Sequence, residues 1–400
     1  MEMENFKWVL GRRSPKQPTV LQQFSEQQAR IAQRFHSSFK EYRTTPLTEL
    51  THLSHKLGIK NLFVKDESYR FGLNAFKVLG GSFAIASYIA QELGEVIDQL
   101  PYARLIADDV HRRLGTKTFI TTTDGNHGRG VAWTAQRLRQ QAVVYLPQGS
   151  APERVANIRA EGARAELTVM NYDDTVRYTQ ELARRNDWVI VQDTAWAGYT
   201  TIPLWIMQGY LTMALEAYEQ LPVKPTHIFI QAGVGSLAGA VQGFFANVYG
   251  EECPLMIIVE ANQADCLYRT AAANDGKLHN VTGKLSTIMA GLACGEPNSI
   301  AWEILSSCSD GFVSCPDYTA TQGMRILGNP LAGDMKVVSG ESGAVTVGLL
   351  TEALRDERLA ALKQALQLDE NSVVLCFNTE GDTDQEHYRH IVWDGAWCRE

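Results

Sequence analysis

The stretch HIFIQAGVGSLAG, residues 227–239, decides the fold class of this sequence. His227–Gln231 is a short, largely apolar run without polar alternation, which favours a strand buried on both faces. A helix is predicted directly after it, over Leu237–Tyr249. Gly233 and Gly235 lie in the turn between them, where glycine lets the backbone approach a phosphate and the helix N-terminus supplies N–H donors. This order predicts an α/β fold with a phosphate cradle at the turn.

The same alternation of strand and helix continues in both directions along the chain. It predicts parallel sheets with crossover helices, and no internal repeat is visible. The other predicted strands are Asn61–Lys65, Thr118–Thr122, Ala142–Leu146, Ala165–Met170, Trp188–Gln192, Leu255–Glu260 and Ser372–Phe377. The other predicted helices are Gly128–Gln140, Pro152–Glu161, Asp173–Asn186 and Ser342–Arg355.

The predicted elements divide into two sheets. Strand–helix units between Lys117 and Asp193 are expected to form a compact subdomain, and the strands on either side of it then share one larger sheet. The polar segment from Tyr102 to Lys117 interrupts the alternation, so we interpret it as an insertion or a surface excursion.

Composition and charge exclude several classes of protein. The chain has 400 residues, of which 45% are hydrophobic and 20% charged, as in a globular chain with a substantial core. Its 37 basic and 45 acidic residues give a formal net charge of -8, whereas phosphate neutralisation by a nucleic-acid-binding protein needs a basic surface. No apolar run reaches the ~18 residues of a membrane span, and the N-terminus lacks a signal-peptide core. We expect a cytoplasmic protein with no nucleic-acid and no membrane partner.

The cysteines give no sign of a metal site. The seven cysteines form no CxxC pair, and no His/Cys cluster has zinc-ligand spacing, so no metal is predicted. Reduced thiols are the expected state in the cytoplasm. The sequence does not decide whether Cys266 and Cys294 form a disulfide.

A candidate nucleophile lies in KDESYRFGLNAFKVLGG, residues 65–81. Lys77 follows a polar loop and directly precedes an amphipathic helix. The positive end of the helix dipole disfavours an ammonium, so such a lysine is more easily deprotonated, as imine formation with a carbonyl requires. The alternative is a solvated surface lysine.

A second candidate is the turn in TTTDGNHGRG, residues 121–130, which follows the predicted strand Thr118–Thr122. Loops at the carboxyl ends of strands line the ligand crevice in α/β proteins. Asp124 is a candidate base there and Asn126 a candidate hydrogen-bonding anchor. The alternative is an ordinary tight turn with a helix cap.

Three single residues are weaker candidates. Asp193 closes a predicted strand, Glu341 opens a predicted helix and Thr379 follows the strand Ser372–Phe377. Each also fits a plain structural role, as a cap, a first-turn acid or a turn residue.

The glycine turn also permits a rival interpretation. Its spacing, GxGxxxG from Gly233 to Gly239, approaches a dinucleotide fingerprint, and Glu260 ends the next strand where a ribose-binding acid is expected. A nicotinamide-dependent Rossmann enzyme would use these residues, but it leaves the Lys77 and Asn126 motifs unexplained.

In this order the motifs resemble the fold type II (tryptophan synthase β-like) enzymes, which use pyridoxal 5'-phosphate. The Lys77 segment is similar to their Schiff-base lysine motif, and the Asp124–Gly128 turn to the loop whose asparagine bonds the pyridoxal 3-hydroxyl. The glycine turn resembles their phosphate loop, although it is less glycine-rich. The resemblance covers roughly residues 45–385. The cofactor-binding residues that it implies are Lys77, Phe76, Asn126, Gly233, Val234, Gly235, Ser236, Leu237, Glu341 and Thr379.

The resemblance also implies an activity. In the dehydratases of this family a serine usually occupies the position of Asp124. The acid at 124, together with VQDTAWAGY around Asp193, is similar to the ammonia-lyases of the family that act on 2,3-diaminopropionate. An α,β-elimination to pyruvate and ammonia is then expected, with Lys77, Asp124 and Asp193 as catalytic residues. Nearby carboxylates favour the cationic form of the departing amine.

The architecture that the resemblance implies has two open, twisted, mostly parallel sheets with helices on both faces. A large cofactor-binding domain of residues 1–93 and 207–400 and a small mobile domain of residues 94–206 are expected, in a homodimer. The alternative function within the family is a serine/threonine dehydratase-type lyase.

Overall fold

The computed structural model of the chain describes residues 6–123 and 125–398. Within these ranges its strands are β1 Lys7–Leu10, β2 Leu47–Glu49, β3 Asn61–Asp66, β4 Thr118–Thr122, β5 Gln141–Leu146, β6 Arg164–Leu167, β7 Val189–Ile190, β8 His227–Gln231, β9 Leu255–Ala261, β10 Gly311–Cys315 and β11 Val373–Asn378. Its helices are α1 Glu26–Ser37, α2 Thr51–Leu57, α3 Val78–Leu93, α4 Tyr102–Leu105, α5 Asp108–Leu114, α6 Asn126–Arg137, α7 Pro152–Ala160, α8 Tyr172–Asn186, α9 Thr201–Gln220, α10 Ser236–Tyr249, α11 Cys266–Ala273, α12 Ser299–Cys308, α13 Asp317–Gly328, α14 Glu341–Arg355, α15 Ala360–Ala365 and α16 Gln385–Val392.

The first of two compact units contains the described residues of Met1–Ser25, Thr44–Tyr69 and Glu216–Glu400. Its seven-stranded sheet has the order β1-β10-β9-β8-β11-β3-β2. The five inner strands run parallel, and the short edge strands β1 and β2 run antiparallel to their neighbours. Parallel strands place their carboxyl ends at one edge, so Gln231 and Asn378, which end β8 and β11, lie at the same edge of this sheet.

The inner strands of this sheet are buried on both faces. Every residue of β8, β10 and β11 is buried, which fits their continuous rather than alternating apolar sequences. One apolar cluster joins these strands to α2, α13 and α14. The carboxyl-end loops therefore emerge from a rigid, close-packed frame.

The second unit contains Glu26–Arg43 and Arg70–Leu215. Its four-stranded sheet has the order β6-β5-β4-β7, with all neighbours parallel. Ile120, Val143 and Tyr145 of this sheet pack against Ala183 of α8. The strands predicted between Lys117 and Asp193 thus form a sheet of their own, and the flanking strands share the larger sheet, as expected. The compact unit itself extends beyond that segment on both sides.

Two strand ends differ from the sequence prediction. β6 stops at Leu167 rather than Met170, because its partner β5 ends at Leu146 and Pro147 follows there without an N–H to donate. β7 holds only Val189–Ile190 rather than Trp188–Gln192. Side chains take over the backbone groups that follow: the Val191 carbonyl accepts from His127 and the Gln192 N–H donates to Tyr199.

Some elements were not anticipated. The strands β1, β2 and β10 are present although no strand was predicted there. The segment predicted as a polar excursion from Tyr102 to Lys117 contains the two short helices α4 and α5. Among residues 6–123 and 125–398, every helix is too short or too polar to span a bilayer.

Candidate active site

Lys77 occupies the cap position directly before α3 in the second unit, as the sequence predicts. The loop that leads to it contains Asn74 at φ 60°, a left-handed conformation that asparagine tolerates better than most residues. The side chain of Lys77 is 17% exposed, and its Nζ forms an ion pair with the Asp193 carboxylate. Lys77 is thus a partly buried, paired amine and not a solvated surface lysine.

Asp193 is the acid partner in this pair and its side chain is 8% exposed. Burial would raise the pKa of the Asp193 carboxyl, but the Lys77 ammonium and the His127 ring outweigh burial and lower this pKa to about 2. Asp193 is therefore an anion throughout the physiological pH range. The structure brings together two of the three predicted catalytic residues, although 116 positions separate them in the chain.

Close packing of α3 against α6 fixes the turn after β4 beside the Lys77 segment. A Cβ on Gly130 of α6 would lie 2.8 Å from the Cα of Val78, so only glycine permits this approach. Asn126 opens α6, and the Thr123 hydroxyl accepts from the N–H groups of Gly125 (2.9 Å) and Gly128 (3.1 Å). Asp124 lies outside the described residues.

An aromatic wall flanks Lys77. Its Nζ is 5.7 Å from the ring centroid of Phe76, and the Phe76 ring is 4.8 Å from that of Tyr210 on α9. Tyr210 is fully buried, which raises the pKa of its hydroxyl. This hydroxyl has no hydrogen-bond partner among the residues that the structure describes.

His127 is a residue that the sequence prediction missed. It is buried, and its Nε2 lies 2.7 Å from the Val191 carbonyl oxygen. A carbonyl only accepts, so Nε2 carries a proton. His127 directly follows Asn126 in the predicted turn, which is the signal that could have drawn attention to it.

In the first unit, the glycine turn after β8 has the geometry of an anion cradle. Gly235 caps α10 at φ 98°, where a side chain would be strained. A Cβ on Gly233 would lie 3.3 Å from the Gly291 carbonyl oxygen and the Cys294 Sγ, so the turn is closely surrounded. The following helix has 14 residues, enough to focus N–H donors on the turn.

Asn298 holds this turn in place and was not predicted. Its Nδ2 donates to the Ser236 hydroxyl (2.8 Å), and its N–H donates to the Val234 carbonyl (2.8 Å). The Ser236 hydroxyl accepts here, which directs its own proton away from Asn298. No local motif marks Asn298, because it lies 62 positions beyond Ser236.

Thr379 lies at the end of the neighbouring strand β11 and is held by Gln231. The Gln231 Nε2 donates to the Phe377 carbonyl (3.0 Å) and to the Thr379 hydroxyl (2.7 Å). The Phe377 carbonyl fixes the orientation of the Gln231 amide, since it accepts only. Thr379 must therefore accept from Gln231, which directs its own hydroxyl proton elsewhere.

Glu341 opens α14 as predicted, and its carboxylate is already engaged. Its Oε1 is 2.6 Å from Nδ1 of His387 on α16. The adjacent N–H of Ser342 donates to Glu380 Oε1 at 3.2 Å. The contact with His387 links the start of α14 to the C-terminal helix α16.

Glu260 removes the support for a dinucleotide site. Its buried carboxylate accepts from the N–H groups of Leu267 (2.9 Å) and Tyr268 (2.7 Å) at the start of α11. Burial raises the pKa of this carboxyl well above its usual range. A buried cap of a helix is not available to a ribose, so the nicotinamide interpretation is wrong. Cys266 and Cys294 are both free thiols.

Comparison with known proteins agrees with these features. Residues 39–379 match the family model described as pyridoxal-phosphate dependent enzyme. The chain is 51% identical, over 93% of each sequence, to diaminopropionate ammonia-lyase of Escherichia coli K12. It also superposes on the crystal structure of the holo form of the E. coli enzyme with a TM-score of 0.92, at 48% identity over 98% of both chains. A crystal structure of that enzyme with an aminoacrylate-PLP azomethine reaction intermediate matches with a TM-score of 0.90, at 47% identity over 98% of both chains.

Proposed function

Because the chain belongs to the pyridoxal-phosphate dependent enzyme family, we propose that it is a diaminopropionate ammonia-lyase. It would convert 2,3-diaminopropionate and water to pyruvate and two molecules of ammonia: α,β-elimination releases the β-amine, and hydrolysis of the product releases the α-amine. The observation that carries this proposal is the pair of Lys77 and Asp193, which places a buried anion beside the family's lysine segment, where it favours a cationic leaving group.

The residues present fit pyridoxal 5'-phosphate. Lys77 offers a sheltered amine to its aldehyde, and the turn from Gly233 to Ser236 offers N–H donors and a hydroxyl to its phosphate. Thr379 offers a hydroxyl proton, already directed away from Gln231, to the pyridine nitrogen. Asn126 would bond the 3-hydroxyl and Phe76 would pack beside the ring. When bound, the cofactor supplies an electron sink that stabilises negative charge at the substrate Cα.

Side chains of the protein would remove the α-proton and promote departure of the β-amine. Lys77 Nζ would take the α-proton from one stereoisomer of the substrate, and the Asp124 carboxylate would take it from the other. An amine is a poor leaving group unless it departs protonated. The Asp193 anion, with its low pKa, favours a cationic β-ammonium beside it. A hydroxyl substrate gains nothing from this charge, so the site would prefer the diamine to serine.

An absorption spectrum and a pyruvate assay test this function. We expect purified protein to show a visible band that borohydride removes and that Lys77→Ala lacks. Pyruvate release should be faster from 2,3-diaminopropionate than from serine and should fall by about 10⁴-fold or more in Lys77→Ala. A protein that stays colourless with added pyridoxal phosphate, or that prefers serine, would contradict the proposal.

Three further predictions concern the molecule as a whole. We propose a homodimer, for which sedimentation equilibrium should return twice the 44.4 kDa of the chain.

Cytoplasmic location is supported by the seven free cysteines and is tested by cell fractionation. The small domain of residues 94–206 is tested by hydrogen exchange, which should change there as one block when substrate binds.

A further inference from the structure

The loop that carries Asp193 is closed by hydrogen bonds from the Tyr199 side chain back to the end of β7. The Tyr199 hydroxyl accepts from the Gln192 N–H at 2.8 Å and donates to the Ile190 carbonyl at 3.0 Å. Both groups belong to the strand end from which Asp193 emerges. One hydroxyl thus satisfies a carbonyl of β7 and the N–H of the residue directly before Asp193.

The segment between Asp193 and Tyr199 folds so that the hydroxyl can reach back. Trp196 and Tyr199 exchange backbone hydrogen bonds of 3.2 and 2.9 Å around a tight turn, with Gly198 at φ 85°. Their rings stack with centroids 4.2 Å apart and an interplanar angle of 22°. These contacts give a structural reason for the WAGY half of the motif VQDTAWAGY, which the proposed chemistry does not otherwise use.

The strand end is also anchored from the other side. The Val191 carbonyl accepts from His127, and Gln192 Oε1 accepts from the Thr122 N–H and the Thr121 hydroxyl, each at 3.1 Å. Ile190, Val191 and Gln192 are therefore fixed one after another, and Asp193 is the next residue. Tyr199 supplies the only one of these anchors that lies on the far side of Asp193 in the chain.

We propose that Tyr199 is a positioning residue that holds the Asp193 carboxylate against the cation at position 77, and this inference rests on the proposed function. Among the described residues, the groups with charge or a titratable proton that face Asp193 are Lys77 before α3, His127 on α6, Tyr210 on α9 and Tyr199 of its own loop. Burial raises the pKa of the Tyr199 hydroxyl, so it stays protonated and keeps donating.

A clear direction of effect follows from this arrangement. When the hydrogen bonds of the Tyr199 hydroxyl are lost, the Asp193 carboxyl stays buried but lies less closely against the cation at position 77. Burial disfavours the anion, so its pKa should rise and the acidic limb of the pH profile should move to higher pH.

Tyr199→Phe in the holoenzyme tests the inference, because it removes the hydroxyl and keeps the stacked ring. We expect kcat for 2,3-diaminopropionate to fall about 10- to 100-fold with KM changed less than about threefold. The acidic limb of the kcat profile should shift to higher pH by about half a unit or more, and the pH dependence of the cofactor absorption band should shift in the same direction. Tyr249→Phe, a tyrosine of the first unit, is the matched control and should leave these quantities unchanged.

Two further variants keep the outcome decisive. In an Asp193→Asn background, Tyr199→Phe should move the acidic limb no further, because the group it positions is absent. Should Tyr199→Phe fail to fold, Trp196→Leu removes the stacked ring, keeps the hydroxyl, and should shift the limb in the same direction by less. If Tyr199→Phe folds, a wild-type pH profile and kcat in that variant would overturn the inference. If it does not fold, a wild-type acidic limb in Trp196→Leu would do so. Failure of the wild type to release pyruvate from 2,3-diaminopropionate would instead overturn the proposed function.

Discussion

The glycine turn of the first unit and the Lys77–Asp193 pair of the second unit hold their functional groups by opposite means. The turn presents backbone groups of a few contiguous residues, fixed by Gly235 at φ 98° and the start of α10 and supported by Asn298. The pair joins side chains 116 positions apart, and its acid depends on a loop anchored by side chains. A backbone site should therefore tolerate side-chain changes nearby, whereas the pair should be sensitive to single atoms.

Asp193→Asn should have the largest effect of the variants that keep Lys77. A neutral amide cannot favour a cationic leaving group, so we expect kcat to fall about 10²- to 10³-fold. The borohydride-sensitive band should remain, because Lys77 and the glycine turn are intact. Turnover within about threefold of the wild type would show that the pair is structural only.

Asp124→Asn should affect the two stereoisomers of the substrate unequally. Loss of a base reduces the rate by about 10²-fold for the isomer that depends on it, and Lys77 should continue to serve the other. Separate assays with D- and L-diaminopropionate measure this split. An equal loss for both isomers would argue against two bases.

Gly235→Ala should weaken cofactor binding rather than chemistry. A Cβ at φ 98° is strained by about 1–2 kcal/mol and would lie 3.3 Å from Leu267 and Leu305 side chains. We expect cofactor affinity to fall about tenfold, with kcat at saturating cofactor nearly unchanged. Gly149→Ala is the control, since Gly149 has φ 91° but a Cβ there has nothing within 4 Å. Equal loss of cofactor affinity in both variants would assign the effect to general destabilisation.

Gln231→Leu should have the smallest effect. It removes the donor that fixes the direction of the Thr379 hydroxyl, worth about 1 kcal/mol for one neutral hydrogen bond. We expect a loss of about three- to tenfold in cofactor affinity and a shift of the visible band. Thr379→Val in the same background should add little if the two residues act as one unit.

The same contrast explains what could be predicted from the sequence. The two sheets, the glycine turn and the lysine before α3 follow from short contiguous patterns: a buried apolar run, a glycine pair, a polar loop before a helix. Asn298, Gln231 and Tyr199 could not be found this way, because each acts through one side chain on a backbone group or hydroxyl that only the fold brings near. The short β7 has the same cause, since side chains replace its expected backbone partners.

The role of Asp193 is tested most directly by the ratio of kcat/KM for 2,3-diaminopropionate to that for serine, measured in the wild type and in Asp193→Asn. The Asp193 anion should favour only the substrate whose leaving group departs as an amine. We predict that the wild type prefers the diamine and that the ratio falls about tenfold or more in the variant. A wild type that prefers serine, or a variant that loses both activities equally, would contradict it.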